Sequence, residues 1–96
     1  KHSGSEKDYE RENPEVASPV SGEVYILNPN ESAARQEIPI IIRPAAQGNF
    51  SYALAGEAWT PVTGEVHDFR RLKRGDYTLR IFDGKEITEE IVFSVR

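Results

Sequence analysis

Apolar side chains alternate with polar or small ones in several short runs along the chain. Alternation with a period of two is typical of a strand that buries one face. The run at 36–43 contains three consecutive isoleucines, which indicates burial on at least one face. The pattern predicts strands at 23–27, 36–43, 50–54, 77–82 and 87–95, with weaker candidates near Trp59 and at 66–69.

Turn residues separate these runs, and no stretch has the periodicity of an amphipathic helix. Asp83-Gly84 is the strongest hairpin signal, because both residue types tolerate a positive φ. Pro39 lacks an amide hydrogen, so we expect its strand to lie at an edge or to carry a bulge. Six to seven short strands spaced by roughly ten residues predict an all-β, immunoglobulin-like antiparallel β-sandwich. A small barrel is the alternative.

The first part of the chain differs from the rest in composition. Residues 1–18 are rich in acids and bases and contain few apolar side chains, so they bury too little surface to offset the entropy of ordering. We interpret 1–18 as a flexible charged linker or arm, with a weak amphipathic helix at 6–13 as the alternative. The sandwich domain is predicted at 19–96. A chain without any methionine is expected to be a fragment of a longer protein.

Composition excludes several functions. The formal net charge of -4 disfavours a nucleic-acid binder, which needs Lys and Arg to neutralise phosphates. The absence of cysteine excludes disulfides, thiolate metal sites and a cysteine nucleophile. No apolar run approaches the ~20 residues of a membrane helix, so we do not expect the domain to be membrane-inserted.

No set of residues with catalytic or metal-binding spacing is present. His67-Asp68 resembles a base with its orienting carboxylate, but adjacent residues of a strand point to opposite faces. We therefore expect an exposed His67. Asp83-Gly84-Lys85-Glu86 lacks the alternating acids of a calcium loop. The sequence predicts no catalytic residue, no cofactor and no metal.

Two groups of residues are candidates for a binding surface. The densest charge cluster could meet an anionic polymer, a phospholipid head group or an acidic partner, or it could be a solvated turn. An aromatic pair could stack on sugars, or Trp59 could instead be core or rim packing. The candidates are Arg70, Arg71, Lys73 and Arg74 for the first group, and Tyr52 and Trp59 for the second.

The order of motifs resembles a known family. The chain reads Pro19-x-x-Gly22-x-Val24-Tyr25-x-Leu27-x-Pro29, then Gln36-x-Ile38-Pro39-Ile40, Tyr52-x-Leu54-x-Gly56, Leu72-x-x-Gly75-x-Tyr77-x-Leu79-x-Ile81-x-Asp83-Gly84 and Phe93-x-Val95. This is similar to the C-terminal domain of the penicillin-binding protein 1C family of periplasmic peptidoglycan synthases. The resemblance implies a parent enzyme with a membrane anchor, a glycosyltransferase domain and a transpeptidase domain.

The catalytic motifs of such transpeptidases are absent from the chain. Ser32-Ala33-Ala34-Arg35 ends in arginine where the Ser-x-x-Lys motif needs lysine, and Val62-Thr63-Gly64 lacks the lysine of Lys-Thr-Gly. The resemblance therefore implies a non-catalytic accessory domain, monomeric in isolation, in the bacterial periplasm. Expected partners are the catalytic domains of the same polypeptide, another periplasmic protein or peptidoglycan. The alternatives are a carbohydrate-binding module and an immunoglobulin-like spacer repeat of a surface protein.

Overall fold

The computed structural model describes residues 12–32 and 36–96 of the chain. These residues form eight β-strands and no helix. The strands are β1 (Glu15–Ser18), β2 (Val24–Tyr25), β3 (Ile38–Arg43), β4 (Phe50–Leu54), β5 (Thr60–Val62), β6 (Val66–Arg70), β7 (Gly75–Phe82) and β8 (Ile87–Val95).

The strands form two sheets that pack face to face. The three-stranded sheet has the order β1-β3-β6, and the five-stranded sheet has the order β2-β8-β7-β4-β5. All pairs are antiparallel except β2 and β8, which run parallel. The predicted all-β sandwich is confirmed, with eight strands among the described residues instead of six to seven. Strands β8, β7 and β4 are adjacent in the middle of the five-stranded sheet.

The core lies between the sheets and follows from the period of two. In β3, the side chains of Ile38, Ile40 and Ile42 are buried, whereas Pro39 and Ile41 alternate with them on the outer face. The other sheet supplies the opposing layer. Its buried side chains are Tyr52, Leu54, Leu79, Ile81, Ile91, Phe93 and Val95.

Pro39 lies in a middle strand, although the sequence predicted an edge strand or a bulge. The position is compatible with proline because β1 pairs with β3 only as far as Ile41. Pro39 therefore has a backbone partner, Phe69, on one side only. Its carbonyl accepts a hydrogen bond from the hydroxyl of Ser18 at 2.8 Å, and the bulge lies in β1, between Val16 and Ser18.

The sandwich begins before Pro19, which corrects the predicted boundary of the charged arm. Residues 15–18 form β1, and Val16 packs against the core. The pattern of side chains does not predict this strand, because its pairing with β3 uses backbone hydrogen bonds, which need few apolar residues. Residues 1–11, and with them most of the alternative helix at 6–13, lie outside the described residues.

The predicted hairpin at Asp83-Gly84 is confirmed. It is a four-residue loop, because Phe82 pairs with Ile87, and Gly84 has a φ of 98°. The carboxylate of Asp83 accepts hydrogen bonds from the backbone N–H groups of Glu86 and Lys85, both at 2.8 Å. These bonds hold the pKa of Asp83 below its ordinary value.

A tyrosine joins the start of β7 to the connection that precedes it. The hydroxyl of Tyr77 donates a hydrogen bond to the carbonyl of Lys73 at 2.6 Å. The ring of Tyr77 stacks on Phe93 with a centroid distance of 5.5 Å. This is the arrangement of a tyrosine corner in immunoglobulin-like domains, which fixes the path between the two sheets.

We expect Tyr77→Phe to lower the free energy of unfolding by about 1 kcal/mol, because it removes one hydrogen bond and keeps the stacked ring. Urea unfolding measures the change. Thr88→Val is the control, since the hydroxyl of Thr88 makes only a 3.5 Å contact with a carbonyl. Its effect should stay within about 0.5 kcal/mol. A Tyr77→Phe variant as stable as the control would contradict the corner.

Candidate functional site

Trp59 lies outside the core, on the outer side of the five-stranded sheet. It immediately precedes β5 and is 41% exposed. Its ring stacks on Phe82 of β7, with a centroid distance of 4.9 Å and an interplanar angle of 18°. Trp59 therefore packs at the rim of the sheet and not in the core. The face of the indole opposite Phe82 remains open to solvent.

Tyr52 does not join Trp59 in an exposed platform, which corrects that part of the candidate site. Tyr52 is only 5% exposed and belongs to the core. It pairs across the sheet with Thr60, the residue after Trp59. Because successive side chains of a strand point to opposite faces, Tyr52 points inward and Trp59 outward.

A shallow cleft lies beside Trp59. Its volume is about 80 Å³, and it is lined by Ala53, Leu54, Ala55, Gly56, Glu57, Trp59 and Arg80. Arg80 is held by a hydrogen bond from Nε to Glu90 at 2.8 Å. The cleft thus combines an aromatic wall with one charged pair at its border.

Arg70 is a structural cation and not part of an open basic surface. Its Nη1 donates to both carboxylate oxygens of Glu57, at 3.0 and 2.9 Å, and its Nε donates to Asp68 at 3.0 Å. The side chain is only 24% exposed. With its donors engaged by two carboxylates, Arg70 is removed from the candidate binding surface.

The other members of the basic cluster are exposed, and they differ in whether a carboxylate pairs with them. Arg71 pairs with Glu37 at 3.3 Å. The side chains of Lys73 and Arg74 are exposed and have no carboxylate partner among residues 12–32 and 36–96. The cluster is thus divided between ion pairs and free cations.

Tyr52, Asp68, Arg70 and Glu57 form one network, which we call the inter-sheet clasp. The hydroxyl of Tyr52, on β4, donates to Asp68 Oδ2 on β6 at 2.8 Å. Arg70, also on β6, then reaches Glu57 after β4. The clasp therefore links the two sheets through hydrogen bonds. The signal in the sequence is the Asp68-x-Arg70 spacing, which places both side chains on the same face of a strand.

Burial raises the pKa of Tyr52 from 10.0 to about 12. The hydrogen bond to Asp68 and the negative charge of that carboxylate also contribute to this rise in pKa, whereas Arg70 partly opposes it. The phenol therefore keeps its proton, and with it the hydrogen bond to Asp68, well into the alkaline range.

His67 and Asp68 do not form a catalytic pair. The expected exposure of His67 is confirmed, and its ring lies 2.8 Å from Glu65. Asp68 is turned the other way, into the clasp. In the part of the chain that the structure describes, no cluster of three or more His, Asp or Glu side chains could hold a metal ion. No helix in that part is long and apolar enough to cross a membrane.

Comparison of the chain with protein-family models, with curated proteins and with solved structures finds no match.

The raised pKa of Tyr52, caused first by burial and then by the clasp, makes stability dependent on pH in the alkaline range. Between the pKa of Tyr52 in the unfolded chain, 10.0, and about 12 in the folded chain, the unfolded state releases the proton first. The free energy of unfolding therefore falls as pH rises through this window. We expect the stability difference between the wild type and Tyr52→Phe to shrink by up to ~2 kcal/mol between about pH 9.5 and 11.5.

Urea unfolding of both proteins across this pH range measures the effect. Thr88→Val removes no titratable group, so its difference from the wild type should stay constant. A difference between the wild type and Tyr52→Phe that does not change with pH would show that the clasp does not hold the phenol protonated.

Proposed function

We propose that the chain is a non-catalytic accessory domain of a bifunctional peptidoglycan synthase of the penicillin-binding protein 1C type, located in the periplasm. Its role is to dock on the catalytic part of the same polypeptide and position it during cell-wall synthesis. The proposal is supported by the motif order of the sequence, which resembles that family, and by the sandwich fold that this family implies.

The observation that carries the docking role is the outer face of the five-stranded sheet. Val24, Trp59 and Val92 are 53%, 41% and 50% exposed. Phe82 underlies Trp59 on the same side. Val24 and Val92 lie on the neighbouring strands β2 and β8, and Trp59 lies beside β5 at the opposite edge. This face therefore offers one aromatic anchor and separate apolar contacts of the kind that protein interfaces use.

Binding of the fluorescently labelled domain to the isolated transpeptidase domain of such a synthase tests the proposal. We expect binding that Trp59→Ala weakens at least ~10-fold, because truncating an aromatic anchor removes much of the interface energy. Phe69→Ala is the matched control, since Phe69 is 53% exposed but lies on β6 of the other sheet.

Purified peptidoglycan sacculi form the second arm of the same experiment. Binding to sacculi alone would make peptidoglycan the docking partner in place of the catalytic domain. No binding to either target at high micromolar concentration would contradict the docking role.

The cleft beside Trp59 favours a second candidate function, a carbohydrate-binding module. An indole with one open face can stack on a pyranose ring, while Arg80 and Glu57, which are bonded to Glu90 and Arg70, add polar groups at the border. The burial of Tyr52 restricts this site to one stacking residue.

Tryptophan fluorescence tests the second candidate, because Trp59 is the only tryptophan of the chain. We expect an emission maximum typical of a partly exposed indole, and a shift or quenching when soluble peptidoglycan glycan fragments are added. Phe82→Ala removes the ring beneath Trp59 and should weaken the response, whereas Phe69→Ala should not. A blue-shifted emission that does not respond to the fragments would contradict sugar binding.

A further inference from the structure

Three of the four sheet edges carry features that oppose pairing with another strand. Edge strand β5 contains Pro61, which lacks a backbone donor. Edge strand β6 carries His67, Asp68 and Arg70. Edge strand β1 has a bulge. Prolines, charges and bulges at edges prevent association between sheets.

The fourth edge, β2, is protected only by its length of two residues, because Val24–Tyr25 contains no proline, bulge or charged side chain. The backbone groups that bond to β8 belong to alternate residues. The N–H of Ser94 donates to the carbonyl of Glu23 at 3.0 Å, and the N–H of Arg96 donates to the carbonyl of Tyr25 at 2.8 Å. Leu27 donates to Arg96 at 2.8 Å. In a strand with this pattern, the backbone groups of Val24 and Ile26 point away from β8, towards the open edge.

The side chains at these two positions are apolar and exposed. Val24 is 53% exposed and Ile26 is 71% exposed, on the same face of the sheet. The nearby carboxylate of Glu23 is turned back on its own chain, where it accepts hydrogen bonds from Val20 N–H at 2.9 Å and from Tyr25 at 3.0 Å. Within 12–32 and 36–96, the charged residue next to this edge is thus already engaged by its own chain.

We propose that two copies of this chain pair through β2, in antiparallel orientation, so that their five-stranded sheets become continuous. A two-fold axis at Tyr25 places Val24 opposite Ile26 of the partner copy, and Ile26 opposite Val24 of the partner copy. Each of these pairs exchanges two backbone hydrogen bonds, which satisfies every free group at these positions.

A second copy meets no like charge at the centre of this edge. Like charges directly opposite each other destabilise a strand pair. In the two-fold arrangement Glu23, already bonded within its own chain, faces Leu27 of the partner copy, and the central positions carry no charge. Branched apolar side chains meet on the outer face instead. The edge is therefore complementary to itself in hydrogen bonding, and its apolar side chains meet without bringing like charges together.

The small area of the contact limits the affinity of the dimer. A stretch of three residues buries far less than the ~1,600 Å² of a standard interface. We therefore expect a weak dimer that forms at high concentration, and the monomer expected from the sequence is its dilute state. This inference does not depend on the docking partner proposed above.

Analytical ultracentrifugation from about 10 µM to about 1 mM tests the proposal, because a weak equilibrium shifts with concentration over this range. We expect Val24→Lys and Ile26→Lys each to raise the dissociation constant at least ~10-fold, since a lysine at an edge opposes pairing. Phe69→Lys is the matched control, with the same 53% exposure as Val24 on a different edge strand. It should leave the equilibrium unchanged.

Hydrogen exchange of the wild-type chain gives a readout that needs no substitution. The amides of Val24 and Ile26 should become protected as the concentration rises, whereas the amide of Phe69 should not. A chain that stays monomeric up to about 1 mM would overturn the proposal, as would a dimer that Phe69→Lys abolishes and Val24→Lys leaves intact.

Discussion

The contact of three isoleucines on β3 with the five-stranded sheet is the interaction on which the rest of the structure depends. Ile38, Ile40 and Ile42 are almost completely buried, and they face the layer that contains Leu79, Ile81 and Phe93. Each such side chain stabilises the fold by about 1.5–3 kcal/mol through its removal from water. Without this contact the three-stranded sheet has no core, because its own strands supply few other buried residues.

Apolar burial sets the distance between the sheets but does not fix their lateral position, because the hydrophobic effect has no direction. The inter-sheet clasp and the corner at Tyr77 supply that direction. Tyr52 belongs both to the core and to the clasp, since its ring is buried and its hydroxyl bonds to Asp68. This double role explains why an aromatic residue that resembled a binding group in the sequence serves as a structural one.

The period of two was sufficient to predict most of the strands and the core, because burial on one face leaves a direct mark on the sequence. It was not sufficient for β1 and for the parallel pairing of β2, which depend on backbone bonds that any side chain permits. The candidate site was predicted in part. Trp59 is exposed at the rim, but the positions of Tyr52 and Arg70 depend on Asp68 and Glu57, whose proximity arises only when the two sheets pack.

The alternation that fills the core also identifies the surfaces available for function. The inward positions of the described strands hold the buried core and the clasp, so an apolar residue that points outward adds little to the core. Val24, Trp59 and Val92 lie on one side of the same sheet, and each is about half exposed. Single exposed apolar residues are ordinary in proteins, and the proposed docking is what would give these residues of one sheet face a role.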